Sequence, residues 1–306
     1  MEFANLWSKG SSYATAARVA TRSDTSGIMS LLRTAKYQHL HVDWYLPGDW
    51  IGVPGFVVMP KQAEVSSISA KFLGTRPSFH GCLAVTPDPE PASWVRVAAL
   101  DQQTPPLKTL GEMMELVADN LRETAVSAIA WLTIQEWPMQ YLSRIGFKKT
   151  NHIETYIKES STLPPARDIP DLSIRPVLET DLEQLASLEK KAFNPLWRHS
   201  ARGLGLARHQ AFSFDVALLQ GKIVGFQLST PSEYGVHLVR LTVDPDTHGL
   251  GIGSALLHHA FQQYHRRGKY RVTLNTQIDN EASQRLYRKF GFFASGQRFP
   301  VWLRRL

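Results

Sequence analysis

Apolar and polar side chains alternate from residue 237 onward. His237, Val239, Leu241 and Val243 fall on one side and Leu238, Arg240 and Thr242 on the other, the period of two that predicts a strand. Asp244-Pro245 closes it, because Pro245 has no N–H for a ladder and drives Asp244 away from helical backbone angles. After a short loop the period changes. Ile252, Leu256, Leu257, Ala260, Phe261 and Tyr264 recur at spacings of three and four, and Gly268 stands where such a helix would end.

The same reading yields elements along the whole chain. In the first half it predicts a helix over 26–37, strands over 79–85 and 94–100, a helix over 107–122, a strand over 127–134, a short helix over 139–144 and a strand over 153–157. Residues 160–171 carry three prolines and little apolar content, which marks a boundary between two domains, 1–162 and 171–306. Beyond it come a strand over 172–177 and a helix to about residue 193, opened by a capping box of Thr180 and Glu183. Residues 194–211 read as a polar and basic connection that includes Gly203-Leu204-Gly205. A hairpin turns at Gln220-Gly221-Lys222. The strand, loop and helix described first follow, then a strand over 270–276, a helix over 280–290 and a terminal pair of strands.

The two halves repeat one order: helix, meander of strands, strand, long helix, strand, short helix, strand. The segments QYLSRIGFK at 140–148 and RLYRKFGFF at 285–293 superpose Gly146 on Gly291 and Leu142 on Tyr287. Where the second half has its glycines, the first has Asp101-Gln102-Gln103-Thr104-Pro105-Pro106.

Composition adds bounds. The 306 residues are 43% hydrophobic, enough for two cores, and the one cysteine, Cys82, leaves no internal disulfide and no cysteine-built metal site. No apolar run is long enough to span a membrane. The stretch from Met1 to Asp24 is rich in Ser, Ala and Arg but lacks the apolar centre of a signal peptide, so a cytoplasmic location is expected. Residues 1–169 hold 16 Lys+Arg and 16 Asp+Glu, and residues 170–306 hold 18 against 11, so the net charge of +7 belongs to the second half. That excess suits a polyanionic ligand, a coenzyme with several phosphates or a nucleic acid.

Between strand and helix stand Gly249, Gly251 and Gly253. A loop without side chains that opens a helix lets several N–H groups converge on one anion, with the helix dipole in support. Two nucleotide-binding alternatives fit poorly. A Walker loop needs Gly-Lys followed by Ser or Thr, and no lysine stands near Gly253. A dinucleotide fingerprint needs Gly or Ala at 254, where this chain has Ser254, and an acid at the end of the next strand, which closes on Asn275-Thr276-Gln277.

These residues carry a resemblance. Residues 172–306 resemble the GNAT superfamily of acyl-CoA-dependent N-acyltransferases, whose motif runs Gln or Arg, two residues, Gly, one residue, Gly or Ala. Here it reads His248-Gly249-Leu250-Gly251-Ile252-Gly253, with His248 departing at the first position. Leu241-Thr242-Val243-Asp244-Pro245 resembles the end of the family's fourth strand. Asn280, Ala282, Leu286, Tyr287, Lys289, Gly291 and Phe292 match its later signature. The resemblance implies an α/β (α+β) protein of two tandem GNAT-like domains, each a mixed, mostly antiparallel twisted sheet flanked by helices. The first is a degenerate copy without the pyrophosphate loop and the second the catalytic, acetyl-CoA-binding copy.

It further implies that Leu241, Thr242 and Val243 pair with the pantetheine arm, that residues from His248 through Gly249, Leu250, Gly251, Ile252, Gly253 and Ser254 hold the pyrophosphate, and that Asn280 touches the arm. Tyr287 would give a proton to the thiolate, although it also suits a core aromatic. The run DNEASQRLYRKFGF resembles the ribosomal-protein alanine acetyltransferases, which place a Glu where this chain has Asn275, so His237 is the candidate base and Glu233 the runner-up. Trp197 and Phe299 are substrate-side candidates. The expected partners are acetyl-CoA and an amine acceptor, with no metal, membrane or nucleic acid. The leading acceptor is a peptide or protein N-terminus. A small-molecule amine is the alternative, since mycothiol synthase resembles this chain in having an inactive first copy, and a non-catalytic acyl-CoA sensor is the third reading.

Overall fold

The computed structural model describes residues 16–42, 44–61 and 77–306. The N-terminal stretch read above for targeting signals lies in part outside them. The first half contributes β1 (Arg18–Val19), α1 (Thr25–Thr34), β2 (Tyr37–Leu40), β3 (Phe56–Pro60), β4 (Phe79–Pro87), β5 (Ala92–Leu100), α2 (Pro106–Arg122), β6 (Ala128–Leu132), α3 (Met139–Leu142) and β7 (Lys148–Lys158). The second contributes β8 (Leu172–Pro176), α4 (Leu182–Ala192), α5 (Ala201–Gln210), β9 (Ser213–Leu219), β10 (Lys222–Ser232), β11 (Gly235–Val243), α6 (Ile252–Arg266), β12 (Val272–Gln277), α7 (Glu281–Lys289) and β13 (Phe293–Arg305).

All the strands join one mixed sheet in the order β1-β3-β4-β5-β6-β13-β7-β12-β11-β10-β9-β8, with β2 paired to β5. Most pairs are antiparallel. The exceptions, β5 with β6 and β11 with β12, occupy the same place in each half. The mixed α/β class with mostly antiparallel pairing therefore stands as the sequence implied, with the strands of both halves joined into one sheet where two were expected.

The halves meet by exchanging their last strands. β7 of the first half lies between β12 and β13 of the second, with Val272 opposite Lys158 and Phe293 opposite Ile157. β13 in turn runs beside β6, with Val301 opposite Leu132. Arg298 reaches across this seam to the buried carboxylate of Glu154 at 2.8 Å.

Packing on the two faces follows the helical stripes. α2 buries Leu110, Met113, Met114, Val117 and Leu121 against β3, β4 and β5. α6 buries Leu257, Ala260, Phe261 and Tyr264 against β11 and β12. α4 and α5 cover the opposite face of the second half through Leu185, Leu188, Leu204 and Ala207.

Three local expectations change. The connection 194–211 contains α5, capped by the Ser200 side chain accepting from the Gly203 N–H at 2.9 Å. Its glycines disguise a helix whose tight side faces Tyr45 and Asp88, where a Cβ on Gly203 would come within 3.3 Å of the Asp88 carboxylate. The terminal pair of strands is the single strand β13, which jogs between Ala294 and Arg298 around Gly296 at φ +82°. α4 follows directly on a turn over Glu179–Asp181, and no side chain caps it, so Thr180 and Glu183 form no capping box. The Asp181 carboxylate takes the Leu178 N–H at 2.8 Å and the Arg175 guanidinium at 2.7 Å.

Among the described residues no helix is long and apolar enough to cross a membrane.

Candidate functional site

The site begins where a sheet comes apart. β11 and β12 pair in parallel at Val236–Val272, His237–Thr273 and Leu238–Leu274, and pairing stops there. Past that point Val239, Arg240 and Leu241 on one strand and Asn275, Thr276 and Gln277 on the other line opposite sides of a cavity of about 300 Å³. Its lining also includes His237, Asn280, Ser283 and Tyr287. The edge of β11 from Val239 onward therefore faces an opening rather than a neighbouring strand, and its backbone groups are open to a ligand.

Tyr287 is buried beside Tyr156 and Phe292, with ring centroids at 6.5 and 5.8 Å. Burial pushes its phenol up to about 12, the Ser283 hydroxyl opposing. The group therefore keeps its proton through the neutral range and is available as an acid. Asn280 caps α7, its side-chain oxygen accepting from the Ser283 N–H at 3.2 Å. His237 bonds Thr273 Oγ1 through Nδ1 at 2.8 Å, and burial lowers its imidazole to about 4, so it stays neutral.

The glycine loop lies at the other end of β11. Asp244 begins a turn through Pro245–Thr247, its carboxylate accepting from the Asp246 N–H and paired with Lys191 at 2.5 Å. His248 is exposed and reaches back to the Val243 carbonyl at 3.3 Å. Gly249 and Gly251 adopt φ of +84° and +93°, which side-chain-bearing residues rarely take. Gly253 has a different reason: a Cβ there would stand 3.3 Å from Leu286 and 3.5 Å from Val243, so its absence lets α6 pack close to α7 and β11. No side chain caps α6. Its first N–H groups face the loop, and Ile252, buried in the core, anchors the turn.

A second cavity of about 310 Å³ borders this loop. Gly251, Ser254, His258, His259 and Lys289 line it together with Pro164, Pro165 and Arg167 of the segment joining the halves. No carboxylate is among its lining residues. Bare backbone donors, an uncapped helix start and a basic groove suit a chain of phosphates.

The sequence reading is only partly gathered here. His237, Leu241, Asn280, Tyr287 and Trp197 share the first cavity. Thr242 lies alongside with its side chain turned away, fully buried against α4. Phe299 packs behind the cavity with Trp94, Ile153 and Trp197. Glu233 is exposed in the turn between β10 and β11 and is not part of the lining.

Other residues were not anticipated. Glu189 of α4 is completely buried, and its carboxylate takes Arg240 Nε and Thr242 Oγ1 at 2.8 and 2.7 Å. A second Arg240 nitrogen and His199 Nδ1 hold its other oxygen, the latter at 3.2 Å. A signal existed: Glu189 stands four residues after Leu185, on the apolar stripe of α4. The wall from the first half was also missed. His41, Trp44, Tyr45, Asp88, Trp94 and Arg96 face the second half's residues across the cavity. Trp94 stacks on His41 at 5.1 Å, meets Trp197 at 5.3 Å and donates its indole N–H to the Leu196 carbonyl.

The matching place in the first half is closed. β5 and β6 part beyond Trp94 and Ala130, but β2 takes the freed edge of β5, with Leu40 opposite Val97 and Tyr37 opposite Leu100. α2 starts on Pro105 and Pro106, which have no N–H to offer an anion. The Asp101 carboxylate, held by Lys61 and His80 at 2.8 and 3.0 Å, adds a negative charge close by.

Among the described residues no group of three or more His, Cys, Asp or Glu is arranged to hold a metal ion.

Comparison with known proteins places the second half. The model of the acetyltransferase (GNAT) family matches residues 182–292. An uncharacterized N-acetyltransferase of Methanocaldococcus jannaschii is 28% identical over 120 residues, covering 39% of this chain and 76% of that protein. One from Mycobacterium tuberculosis is 31% identical over 114 residues, covering 37% of this chain and 67% of its own. Among solved structures, a GCN5-related N-acetyltransferase from Sphaerobacter thermophilus has a TM-score of 0.55 at 16% identity, covering 94% of this chain and 95% of that one, a likeness of fold across both halves.

Proposed function

The chain belongs to the GNAT acetyltransferase family, and from that premise we propose that it transfers the acetyl group of acetyl-CoA to a primary amine of a small molecule bound between its halves. The observation that carries the reading is the parting of β11 and β12 after Leu238 and Leu274, which opens onto a cavity walled by both halves.

In this reading the N–H groups from Gly249 to Ser254 hold the pyrophosphate and the free edge of β11 at Leu241, Thr242 and Val243 pairs with the pantetheine arm. That alignment brings the thioester into the opening beside Tyr287 and Asn280. A backbone N–H near Val243 polarises the acyl oxygen. The amine nitrogen forms its bond to the acyl carbon, the carbon–sulfur bond breaks, and Tyr287 protonates the departing thiolate. His237, neutral through the working pH range, accepts a hydrogen bond and orients the acceptor or a water.

The acceptor side favours a small amine over a protein N-terminus. Trp94 of the first half packs directly against Trp197 and bonds the Leu196 carbonyl of the second, and with His41, Trp44 and Phe193 these rings line the space. A cavity of this size suits a compact ligand with an apolar body. Trp197 is a direct contact in this reading and Phe299 supports it from behind.

The test measures free thiol release from acetyl-CoA against a panel of small aromatic amines, aliphatic amines and short peptides, with mass spectrometry of the purified protein for bound coenzyme. Turnover with small amines is expected. Turnover confined to peptides would move the acceptor to the other class, and coenzyme binding without any transfer would identify a sensor.

A further inference from the structure

His199 and Glu189 form a pair whose chemistry the transfer reaction has not yet used. Every position on the Glu189 carboxylate is taken: Oε1 by Arg240 and Thr242, Oε2 by Arg240, by His199 Nδ1 and by the His199 backbone N–H at 3.2 Å. Burial alone would raise this carboxyl. The charge of Arg240 and the bonds from His199 and Arg240 outweigh it and bring the group down to about 2. Glu189 is therefore an ionised carboxylate that only accepts.

The tautomer of His199 follows by elimination. Facing an acceptor, Nδ1 carries the proton, which leaves the lone pair on Nε2. The ring packs against Trp44 with centroids 5.0 Å apart and lines the cavity with Arg198, Asp88 and Tyr287. A carboxylate that fixes an imidazole through Nδ1–H and stabilises the imidazolium formed at Nε2 is the arrangement by which hydrolases make a histidine a base. His237 lacks such a partner. Its Nδ1 meets a hydroxyl, and an imidazole at about 4 returns a proton readily to an alkylamine, whose ammonium titrates near that of lysine at about 10.

We propose that His199 Nε2 is the general base that deprotonates the acceptor ammonium, with Glu189 as the residue that positions it. The assignment rests on the transfer reaction proposed above. The acceptor enters as an ammonium ion and gives one proton to Nε2, which passes it to solvent. The neutral amine then attacks the thioester carbon, and the proton its nitrogen sheds on collapse balances the one Tyr287 gives to the thiolate. The charged and titratable groups around the ring are Glu189 of α4, Arg240 of β11, Arg198 beside it, and Asp88, Arg96 and His41 on the opposite wall. Arg240 and Glu189 neutralise each other, so the imidazolium arises beside a net neutral pair.

Two measurements on the full chain test this. Nitrogen-15 NMR of the imidazoles should show His199 as the Nδ1–H tautomer, and Glu189→Gln, whose amide both donates and accepts, should let the Nε2–H form appear. An Nε2–H tautomer in the wild type overturns the assignment whatever the acceptor. With acetyl-CoA and 2-phenylethylamine as the probe, His199→Gln should lower kcat about 100-fold or more, remove the acidic limb of the pH–rate profile and leave the Kd for CoA within twofold. Added imidazole should restore part of the rate of His199→Ala. Retention of the acidic limb with a near-wild-type kcat overturns the proposal. Failure of the wild type to bind CoA by calorimetry would remove the transfer reading and the base together, whereas CoA binding with the wrong tautomer removes the base alone.

Discussion

Leu238 and Leu274 are the last facing residues of the parallel ladder between β11 and β12, and the cavity opens immediately beyond them. Tyr287 lies where that opening meets α7, buried and with its phenol pushed up to about 12. Replacing Tyr287 by Phe keeps the ring contacts with Tyr156 and Phe292 and removes only the acid. Turnover should fall about 100-fold, the scale of a lost general acid, while CoA affinity changes less than twofold. Initial rates of thiol release and calorimetric titration measure the two quantities, and unchanged turnover would remove Tyr287 from the chemistry.

Gly251 caps α6 at φ +93°, with Arg167 and Ile169 within 3.6 Å of where a Cβ would stand. A β-branched residue there costs about 1–3 kcal/mol in backbone strain and turns the first N–H groups of α6 away from the anion. Gly251→Val should weaken CoA binding more than tenfold and leave binding of pantetheine, which has no pyrophosphate, nearly unchanged. Equal losses for both ligands would show that the loop does not hold the phosphates.

Burial holds His237 neutral, with its imidazole at about 4 against an ordinary 6.5. The unfolded chain therefore binds a proton near pH 6.5 that the folded chain refuses until about pH 4. Stability from this group is fully present above pH 6.5, is lost as pH falls toward 4, and levels off below, a change of up to about 3 kcal/mol. His39 and His41 are shifted in the same direction by burial, so the contribution is read as a difference. Urea unfolding between pH 4 and 7 should show a shallower pH dependence in His237→Gln than in the wild type, and parallel curves would contradict the assignment.

β13 pairs with β6 of the first half as well as with β7, and β7 pairs with β12 of the second. Neither half closes its sheet alone. Heating should therefore give one cooperative transition for the whole chain, and Val301→Asp, which places a charge on a fully buried position of the seam, should lower its midpoint without splitting it. Two separate transitions would mean that the halves are energetically independent.

The parts of this molecule that were legible in the sequence are those written by local chemistry. The strand ending at Asp244-Pro245, the glycine turn and the helix from Ile252 each follow from backbone preferences within a few residues, and so does the placing of Asn280 and Tyr287 on one short helix. What escaped depends on distant partners. Glu189 stands on the apolar stripe of α4, but what it is buried for shows only when Arg240, 51 positions away, is folded against it. α5 hid behind Gly203 and Gly205, whose low helix propensity is overridden by packing, Gly203 beneath Tyr45 and Asp88 and Gly205 against Leu182. The second strand of the expected terminal pair was taken from the other half: β7 occupies the place beside β12 that a hairpin would have filled. Hydrophobic period finds a strand but carries no record of its neighbour.

The reciprocal loan of last strands bears on why the first half persists beside the second. Deletion of residues before the linker would strip β12 of its antiparallel partner β7, leaving it only the three-residue parallel pairing with β11, and leave β13 with neither neighbour. Selection acting on the second half alone thus preserves the first, and the pair is inherited as one unit.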